Sequence, residues 1–314
     1  MLFRSCRNDP PQLARRNDLP RFGIGGFTCM VLGALVGCQS SEAPILLPTA
    51  IVFDWSRNGS RSIYRAALDG TDTLRLTSVA ADDEHPSERA GMVVFTSYRD
   101  GNAELYAVAG TGGAAHRLTT TAANETQPAL SPDGTKIAYV SDASGVTKLW
   151  ISAADGTGAQ PLTTGFGFSG SVEASPSWAP DGTRLVFVST TNGSADLYIL
   201  TFGGGTPSPL VTDPGADVEP AWSPDGKLVA FASERAGGGS TNIFTVDVAT
   251  HHIAQLTNDT GTDGQAAWLP DGRLVYTAWV AGTARLRWLD PAAPGSATDA
   301  GPSAGDVQHA AAVF

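Results

Sequence analysis

The stretch PALSPDGTKIAYVSD (Pro128–Asp142) decides the fold, because the chain repeats it in nearly the same form three more times. The other copies read PSWAPDGTRLVFVST, PAWSPDGKLVAFASE and AAWLPDGRLVYTAW. The aspartates of the four copies are Asp133, Asp181, Asp225 and Asp271, which lie about 44 to 48 residues apart. A period of this length is typical of proteins built from repeated supersecondary units, among them β-propellers.

Each repeat contains four short apolar segments separated by turn signals. In the repeat around Asp133 these segments read QPALS, KIAYVS, KLWIS and AQPLTT. Segments of about 4 to 6 residues joined by short turns favour antiparallel strands. In the Ser-Pro-Asp-Gly turn, proline supplies a fixed φ, aspartate accepts a hydrogen bond from nearby backbone, and glycine adopts a positive φ. Each repeat is therefore predicted to be a four-stranded antiparallel meander.

A single sheet of this kind cannot bury both of its faces, but sheets arranged around an axis cover one another. The second segment of each repeat, such as IAYV or LVFV, is apolar at consecutive positions, as expected for a strand buried on both faces. Trp178, Trp222 and Trp268 recur at one inner-strand position and are predicted to pack between blades rather than to bind a carbohydrate. We predict an all-β fold, a six-bladed β-propeller of four-stranded antiparallel blades.

The two ends of the repeat region complement each other. The first repeat begins at AIVFDWS (Ala50–Ser56) without an innermost strand, and the last segment, VQHAAAVF (Val307–Phe314), has no repeat of its own. We therefore predict that the C-terminal strand joins blade one and closes the ring. Blade two departs from the pattern, because Glu88, Arg89 and Ala90 replace its Pro-Asp-Gly turn and two residues are missing.

The segments SPDGTKIAYVSD and TSYRDGNAELYAV and the closing RLT resemble the repeats of TolB-type β-propellers. The resemblance covers about residues 50–314, and such repeats also occur in the propeller domains of prolyl-oligopeptidase-family enzymes and in many envelope proteins. It implies a propeller fold. Since TolB-type propellers bind partner peptides at the mouth of their channel, it also implies a peptide-binding role. The motif is specific for the fold but not for an activity, because one fold serves many functions.

The first 37 residues read as a secretory signal. Five arginines precede the apolar run Phe22–Gly37, and the segment ends in LVGC (Leu35–Cys38), which resembles the lipobox of bacterial lipoproteins. That resemblance implies lipidation of Cys38, a tether over residues 38–49 and a propeller over residues 50–314. Gln39 is not the aspartate linked with inner-membrane retention, so we expect an anchor in the outer membrane and a propeller facing the periplasm. The alternative is a signal peptide cleaved nearby, with Cys38 incidental.

The composition limits the choice of partners. The chain carries 20 basic and 31 acidic residues, a formal net charge of −11. Such a surface repels nucleic acid and anionic lipid head groups. We therefore expect no nucleic-acid partner and no membrane contact other than the lipid anchor. We expect a monomer without a cofactor, whose partner is an envelope protein or peptide.

Two sets of polar residues precede the innermost strands, whose leading loops surround one mouth of a propeller channel. The first set is acidic and consists of Asp83, Glu125, Glu173, Asp217 and Asp263. The second set lies two residues after each acidic position and includes the equivalent residue of the C-terminal segment. It consists of His85, Gln127, Ser175, Glu219, Gln265 and His309. Together they predict a polar, acidic funnel that binds a basic or amide-bearing peptide segment or a cation. The alternative is that the acids cap turns or solvate loops.

A metal site is the competing hypothesis for the same residues. If the C-terminal strand closes blade one, His85 and His309 fall on neighbouring blades, with Gln127 and Gln265 on the flanking blades. Oligogalacturonate lyases are similar propellers that hold a metal with His and Gln in the channel, so a metal-dependent polysaccharide-processing enzyme is the alternative function. Two histidines are few for a metal site. We find no catalytic constellation, assign no metal ligand, and favour a non-enzymatic, lipid-anchored propeller that binds through its acidic channel mouth.

Overall fold

The computed structural model describes residues 50–57, 59–237, 239–258, 260–302 and 306–313. Within these ranges the chain forms twenty-four β-strands in six sheets of four and contains no helix, which confirms the predicted six-bladed propeller. None of the described segments is a helix long and apolar enough to cross a membrane. The predicted signal segment, Cys38 and the tether lie outside the described residues.

The six blades follow one another along the chain, and in each blade the strands run in order from the channel outwards. Blade one contains β24 (Asp306–Ala312), β1 (Ala50–Arg57), β2 (Ser60–Ala67) and β3 (Leu74–Arg75). Blade two contains β4 (Asp83–Arg89), β5 (Met92–Ser97), β6 (Glu104–Ala109) and β7 (His116–Arg117). Blade three contains β8 (Glu125–Leu130), β9 (Lys136–Ser141), β10 (Lys148–Ala153) and β11 (Gln160–Pro161).

The remaining three blades repeat this order. Blade four contains β12 (Glu173–Trp178), β13 (Arg184–Ser189), β14 (Asp196–Thr201) and β15 (Ser208–Val211). Blade five contains β16 (Asp217–Trp222), β17 (Leu228–Ser233), β18 (Asn242–Asp247) and β19 (Ile253–Gln255). Blade six contains β20 (Thr262–Trp268), β21 (Leu274–Val280), β22 (Thr283–Leu289) and β23 (Thr298–Asp299).

The C-terminal strand closes the ring, as predicted. β24 pairs antiparallel with β1, with Ile51 opposite Ala312 and Trp55 opposite Val307. Blade one therefore takes its inner strand from one end of the described chain and its other three strands from the other end. Because this sheet forms only when the two ends meet, its pairing is highly non-local.

Apolar side chains pack between neighbouring blades. The second strands of blades four and five place Phe187 and Phe231 at 0% exposure, and burying one such ring contributes about 1.5–3 kcal/mol. Trp178, Trp222 and Trp268 are 6–7% exposed and belong to clusters that join adjacent blades. Their predicted packing role is therefore confirmed.

The repeated Pro-Asp-Gly turns have the geometry that their residues predict. In blade three the N–H of Gly134 donates to the carbonyl oxygen of Ser131 at 2.8 Å, and Gly134 has a φ of +69°. Asp133 accepts hydrogen bonds from the hydroxyl of Ser131 and from the N–H of Thr135. These bonds lower the pKa of Asp133 to about 2. The aspartate of the repeated motif therefore shapes a turn.

Candidate functional site

Six residues, one on the innermost strand of each blade, surround a single cavity. They are His85, Gln127, Ser175, Glu219, Gln265 and His309, and we call them the bulge ring. The cavity has a volume of about 180 Å³ and lies towards the end of the channel where the inner strands begin. The structure thus brings together the whole second set of residues that the sequence singled out.

All six bulge-ring residues share an unusual backbone conformation. Their φ angles lie between 47° and 54° although none of them is glycine, and a non-glycine residue in this region is uncommon and strained. In every blade the residue lies where the pairing between the inner strand and the second strand shifts register, as at a β-bulge. Because a bulge re-aims side chains, the distortion turns six side chains towards one axis.

The residue that follows each ring position suits the bulge. Four of these residues are prolines, and alanine stands at the other two positions; they are Pro86, Pro128, Pro176, Pro220, Ala266 and Ala310. A bulge leaves one residue of the strand unpaired. Proline, which has no N–H, is therefore accepted there without the loss of a ladder hydrogen bond.

Long ring side chains bind the backbone of the next blade. The side-chain oxygen of Gln127 accepts the N–H of Ser175 at 2.8 Å. In the same way Glu219 accepts the N–H of Gln265 at 2.6 Å, and Gln265 accepts the N–H of His309 at 3.1 Å. These bonds tie neighbouring blades together and hold the side chains against the channel wall.

Glu219 occupies space that only a glycine leaves open. A β-carbon added at Gly264 would lie 2.6 Å from Oε2 of Glu219. The equivalent positions of blades four and five carry side chains, Ala174 and Val218, so glycine is specific to the strand that receives the Glu219 carboxylate. Burial raises the pKa of Glu219, and the hydrogen bond from Gln265 opposes that rise.

Asp54 fixes the orientation of His309. Its Oδ1 atom lies 2.7 Å from Nδ1 of His309, and Nε2 of His309 lies 2.6 Å from the amide nitrogen of Gln265. Since the amide oxygen of Gln265 already accepts the backbone N–H of His309, its nitrogen must be the donor towards Nε2. In this network Nδ1 of His309 is the donor towards Asp54, and Nε2 is the acceptor from Gln265.

His85 lies beside His309, with 3.9 Å between the centres of the two rings. Burial is the main cause that lowers the pKa of His85 to about 3. The ring is therefore neutral at physiological pH. Its Nδ1 atom is buried without a hydrogen-bond partner, whereas its backbone N–H donates to Asp54 at 3.3 Å.

The first set of sequence-predicted residues does not line the cavity. Asp83, Glu125, Glu173, Asp217 and Asp263 are at most 1% exposed. Asp217 lies 2.7 Å from the guanidinium of Arg235. Glu173 lies 3.1 Å from the ammonium group of Lys148 on the preceding blade. The exposed acidic ring that the sequence predicts is therefore not formed by these five carboxylates, which face the blades instead of the channel.

The sequence did not predict two residues of the site, Asp54 and Gly264. Asp54 is the only charged residue in the apolar stretch AIVFDWS, and this is the one feature of the sequence that could have indicated its role. Gly264 stands one residue before a ring position, where nothing in the sequence indicates that the carboxylate of Glu219 needs its space. Both depend on contacts between blades.

The arrangement offers little to a metal ion. Nδ1 of His309 faces Asp54 and Nε2 faces Gln265, so both ring nitrogens already have partners. In the part of the chain that the structure describes, no three His, Cys, Asp or Glu side chains come together in an arrangement suited to a metal.

Comparison with known proteins identifies the family of the fold. A family model described as TolB beta propeller domain matches residues 39–170 and 166–240. The structure resembles TolB from Acinetobacter baumannii, with 19% sequence identity and a TM-score of 0.73, over 84% of this chain and 66% of that protein. A candidate TolB from Agrobacterium tumefaciens shares 17% identity with a TM-score of 0.64, over 85% of this chain and 98% of that one.

A hydrolase carries the same type of propeller. Puromycin hydrolase shares 20% identity with a TM-score of 0.57, over 83% of this chain and 46% of that protein. No curated protein sequence matches the chain significantly. The chain spans just under two thirds of the Acinetobacter protein and less than half of the hydrolase. At these identities the structural similarity shows a shared fold.

Proposed function

Because the chain belongs to the TolB β-propeller family, we propose that it is a non-enzymatic binding protein of the bacterial cell envelope. A lipid on Cys38 holds it to the outer membrane, and the propeller faces the periplasm. The bulge ring is the observation that carries this proposal: six strained non-glycine residues from six blades converge on one cavity. Strain of this kind persists where the surrounding structure enforces it, commonly at binding sites.

The partner is a protein or peptide that presents a basic or amide-bearing side chain to the bulge ring. The cavity of about 180 Å³ has room for one extended side chain rather than for a folded surface. Its wall contains the Glu219 carboxylate and the amides of Gln127 and Gln265, and these groups pair with an ammonium or an amide. The net charge of −11 attracts basic partners to the protein.

Calorimetric titration with two short peptides, identical except for a central lysine or glutamate, tests the binding role. We expect the purified protein to bind only the lysine peptide. Glu219→Gln should weaken this binding about tenfold, because a charge-assisted contact becomes a neutral one. Asp181→Asn is the matched control, since Asp181 is an exposed carboxylate on a turn at the other end of the channel. Equal or absent binding of the two peptides would overturn the proposal.

A further inference from the structure

A cavity on the outer strands of blade one is not used by the proposed function. Its volume is about 580 Å³, which lies within the range of small-molecule sites. We call it the blade-one pocket, and the residues that line it are Trp55, Arg57, Ser60, Tyr64, Thr73 and Arg75. None of them lines the bulge-ring cavity.

The strand register places the side chains of this pocket on one face of the sheet. Arg57 lies opposite Ser60, and Tyr64 lies opposite Arg75. Opposite residues of paired strands share a face, as do residues two apart along a strand, such as Trp55 and Arg57. The ring centres of Trp55 and Tyr64 are 5.2 Å apart, and the guanidinium carbon of Arg57 lies 4.4 Å from the centre of the Trp55 ring. Two guanidinium groups therefore border one small space.

In blades two and five, the arginine at the position of Arg57 has a carboxylate partner. Arg99 lies 2.9 Å from Asp83, and Arg235 lies 2.7 Å from Asp217. In both blades the acid stands on the innermost strand, opposite a serine of the second strand. Each guanidinium also lies over an aromatic ring of its own blade. The arginine is thus held between a ring and an acid.

Blade one keeps the arginine and the ring but lacks the acid. The register places Val307 where blades two and five have the aspartate, and Trp55 where they have the serine. Arg57 is exposed and contacts the ring of Trp55. Within the part of the chain that the structure describes, Arg57 forms no ion pair.

Arg75 has lost a carboxylate in the same way. Its counterpart in blade two is Arg117, which pairs with the buried carboxylate of Glu104. Blade one has Ser62 at the position of Glu104. Arg75 therefore donates to the hydroxyl of Ser62 at 2.8 Å and to the carbonyl oxygen of Thr77 at 2.6 Å. Both of these partners are uncharged.

We propose that the blade-one pocket binds a phosphate monoester. Arg57 and Arg75 supply two positive charges, and guanidinium groups form strong paired hydrogen bonds with phosphate oxygens. A phosphate monoester carries a charge of about −1.5 to −2 at pH 7 and three acceptor oxygens, so it matches both arginines, whereas a carboxylate carries a single charge. The hydroxyls of Ser60 and Thr73 also line the pocket and can donate to phosphate oxygens.

The net charge of −11 opposes anion binding chiefly at long range. Salt screens charges over about 8 Å at physiological ionic strength, so the nearest groups dominate. Of the described residues that line the pocket, none is acidic, and Asp69 and Asp72 in the turn before β3 are not among them. The pocket therefore suits a small soluble anion better than a polyanion or an anionic membrane, which would also meet the acidic surface around it.

Calorimetric titration with glycerol 3-phosphate and with glycerate, a monoanion of similar size, tests this site. We expect glycerol 3-phosphate to bind at least about tenfold more tightly, since only this anion carries enough charge to pair with both guanidinium groups. Arg57→Gln should weaken its binding about tenfold, and the variant should fold because Arg57 is exposed. Arg285→Gln is the matched control, because Arg285 is exposed on the third strand of blade six and its loss makes the same change of charge.

A second pair of variants tests the part played by Arg75. Ser62→Glu gives blade one the carboxylate that blade two has at Glu104, so Arg75 should pair with it and glycerol 3-phosphate should bind about tenfold more weakly. Ser62→Gln has nearly the same size without the charge and should bind more tightly than Ser62→Glu. Equal binding by the two variants would overturn the pairing of the phosphate with Arg75.

The two probes on the unaltered protein and on Arg57→Gln keep the test valid even if the Ser62 variants fail to fold. Equal binding of glycerol 3-phosphate and glycerate, or no binding of either, overturns the proposal. Binding of glycerol 3-phosphate that Arg57→Gln leaves unchanged places the probe elsewhere and also overturns it. Failure here leaves the peptide titration at the bulge ring unaffected, since the two cavities share no lining residue.

Discussion

The buried carboxylate of Asp54 lies 2.7 Å from Nδ1 of His309 and joins the first strand of the propeller to the last. The same carboxylate lies 2.6 Å from the guanidinium of Arg61, which also contacts Asp306 at 2.8 Å. One cluster therefore performs two tasks. It fastens the seam at which the ring closes, and it orients an imidazole that lines the bulge-ring cavity.

Removal of the Asp54 carboxylate should destabilise the whole propeller. In Asp54→Ala the partly buried guanidinium of Arg61 loses its closest partner, and the His309 ring loses its acceptor. Breaking a buried ion pair of this kind costs about 3 kcal/mol. Urea denaturation followed by tryptophan fluorescence measures the loss in the free energy of unfolding.

Asp299→Ala is the control for this effect. Asp299 lies 3.5 Å from Arg287 in blade six and its side chain is 75% exposed, so its loss should change the free energy of unfolding by no more than about 0.5 kcal/mol. A similar loss of stability in the two variants would contradict the role given to Asp54.

The lowered pKa of His85 predicts that the free energy of unfolding depends on pH in a specific way. Its pKa is about 3 in the folded protein, against an ordinary value of 6.5, so the unfolded chain binds more protons between these values. Stability contributed by the neutral ring is present above pH 6.5 and is lost as the pH falls towards 3, with a slope of at most about 1.4 kcal/mol per pH unit.

The difference in the free energy of unfolding between the unaltered protein and His85→Asn isolates this contribution. Groups such as Glu84 and Glu219, whose pKa values are raised by burial, are present in both proteins and largely cancel. We expect the advantage of the unaltered protein to shrink steadily as the pH is lowered through this window. A difference that does not change with pH would contradict the assignment.

The sequence predicted those features that local chemistry encodes. Pro, Asp and Gly at fixed spacing specify a turn wherever they occur, so the repeat around Asp133 predicted the strands, the blade and the number of blades. The same alignment located the bulge ring, because Gln127 and Glu219 occupy one repeat position. The C-terminal strand was found because Val307–Phe314 matched the strand that blade one lacked.

The orientation of the five carboxylates that precede the bulge ring could not be predicted in this way. Whether Glu173 faces the channel or the neighbouring blade depends on Lys148, which comes from another repeat. Asp54 acquires its role from a contact with His309 at a separation of 255 residues. The bulge adds to the difficulty, because a residue with positive φ aims its side chain differently from an ordinary strand residue.

The strain in the bulge ring can be measured at Ser175, whose φ is +51°. Ser175→Val should lower the free energy of unfolding by about 2 kcal/mol, because a β-branched side chain tolerates this conformation poorly. Ser175→Asn should be nearly neutral, since asparagine accepts it more readily than most residues. Ala174→Val, at the preceding residue without a positive φ, is the control. Equal costs of valine at both positions would show that the conformation carries no penalty.

The contact between Gly264 and Glu219 predicts coupling between two substitutions. Gly264→Ala alone forces the Glu219 carboxylate away from the N–H of Gln265, and loss of this charge-assisted bond should cost about 1–2 kcal/mol. In a Glu219→Ala background the added methyl group meets no carboxylate. Gly264→Ala should then be neutral or slightly stabilising, because alanine restricts the unfolded chain more than glycine does.

Urea denaturation of the four proteins of this double-mutant cycle gives the coupling energy, which we expect to be about 1–2 kcal/mol. Gln127→Ala combined with Gly264→Ala is the control cycle, since Gln127 binds Ser175 on the opposite side of the ring and should show additive effects. The lysine peptide should bind more weakly to Gly264→Ala, because the displaced carboxylate no longer lines the cavity in the same position. Additive effects in both cycles would mean that Gly264 is required for a reason other than the space it leaves for Glu219.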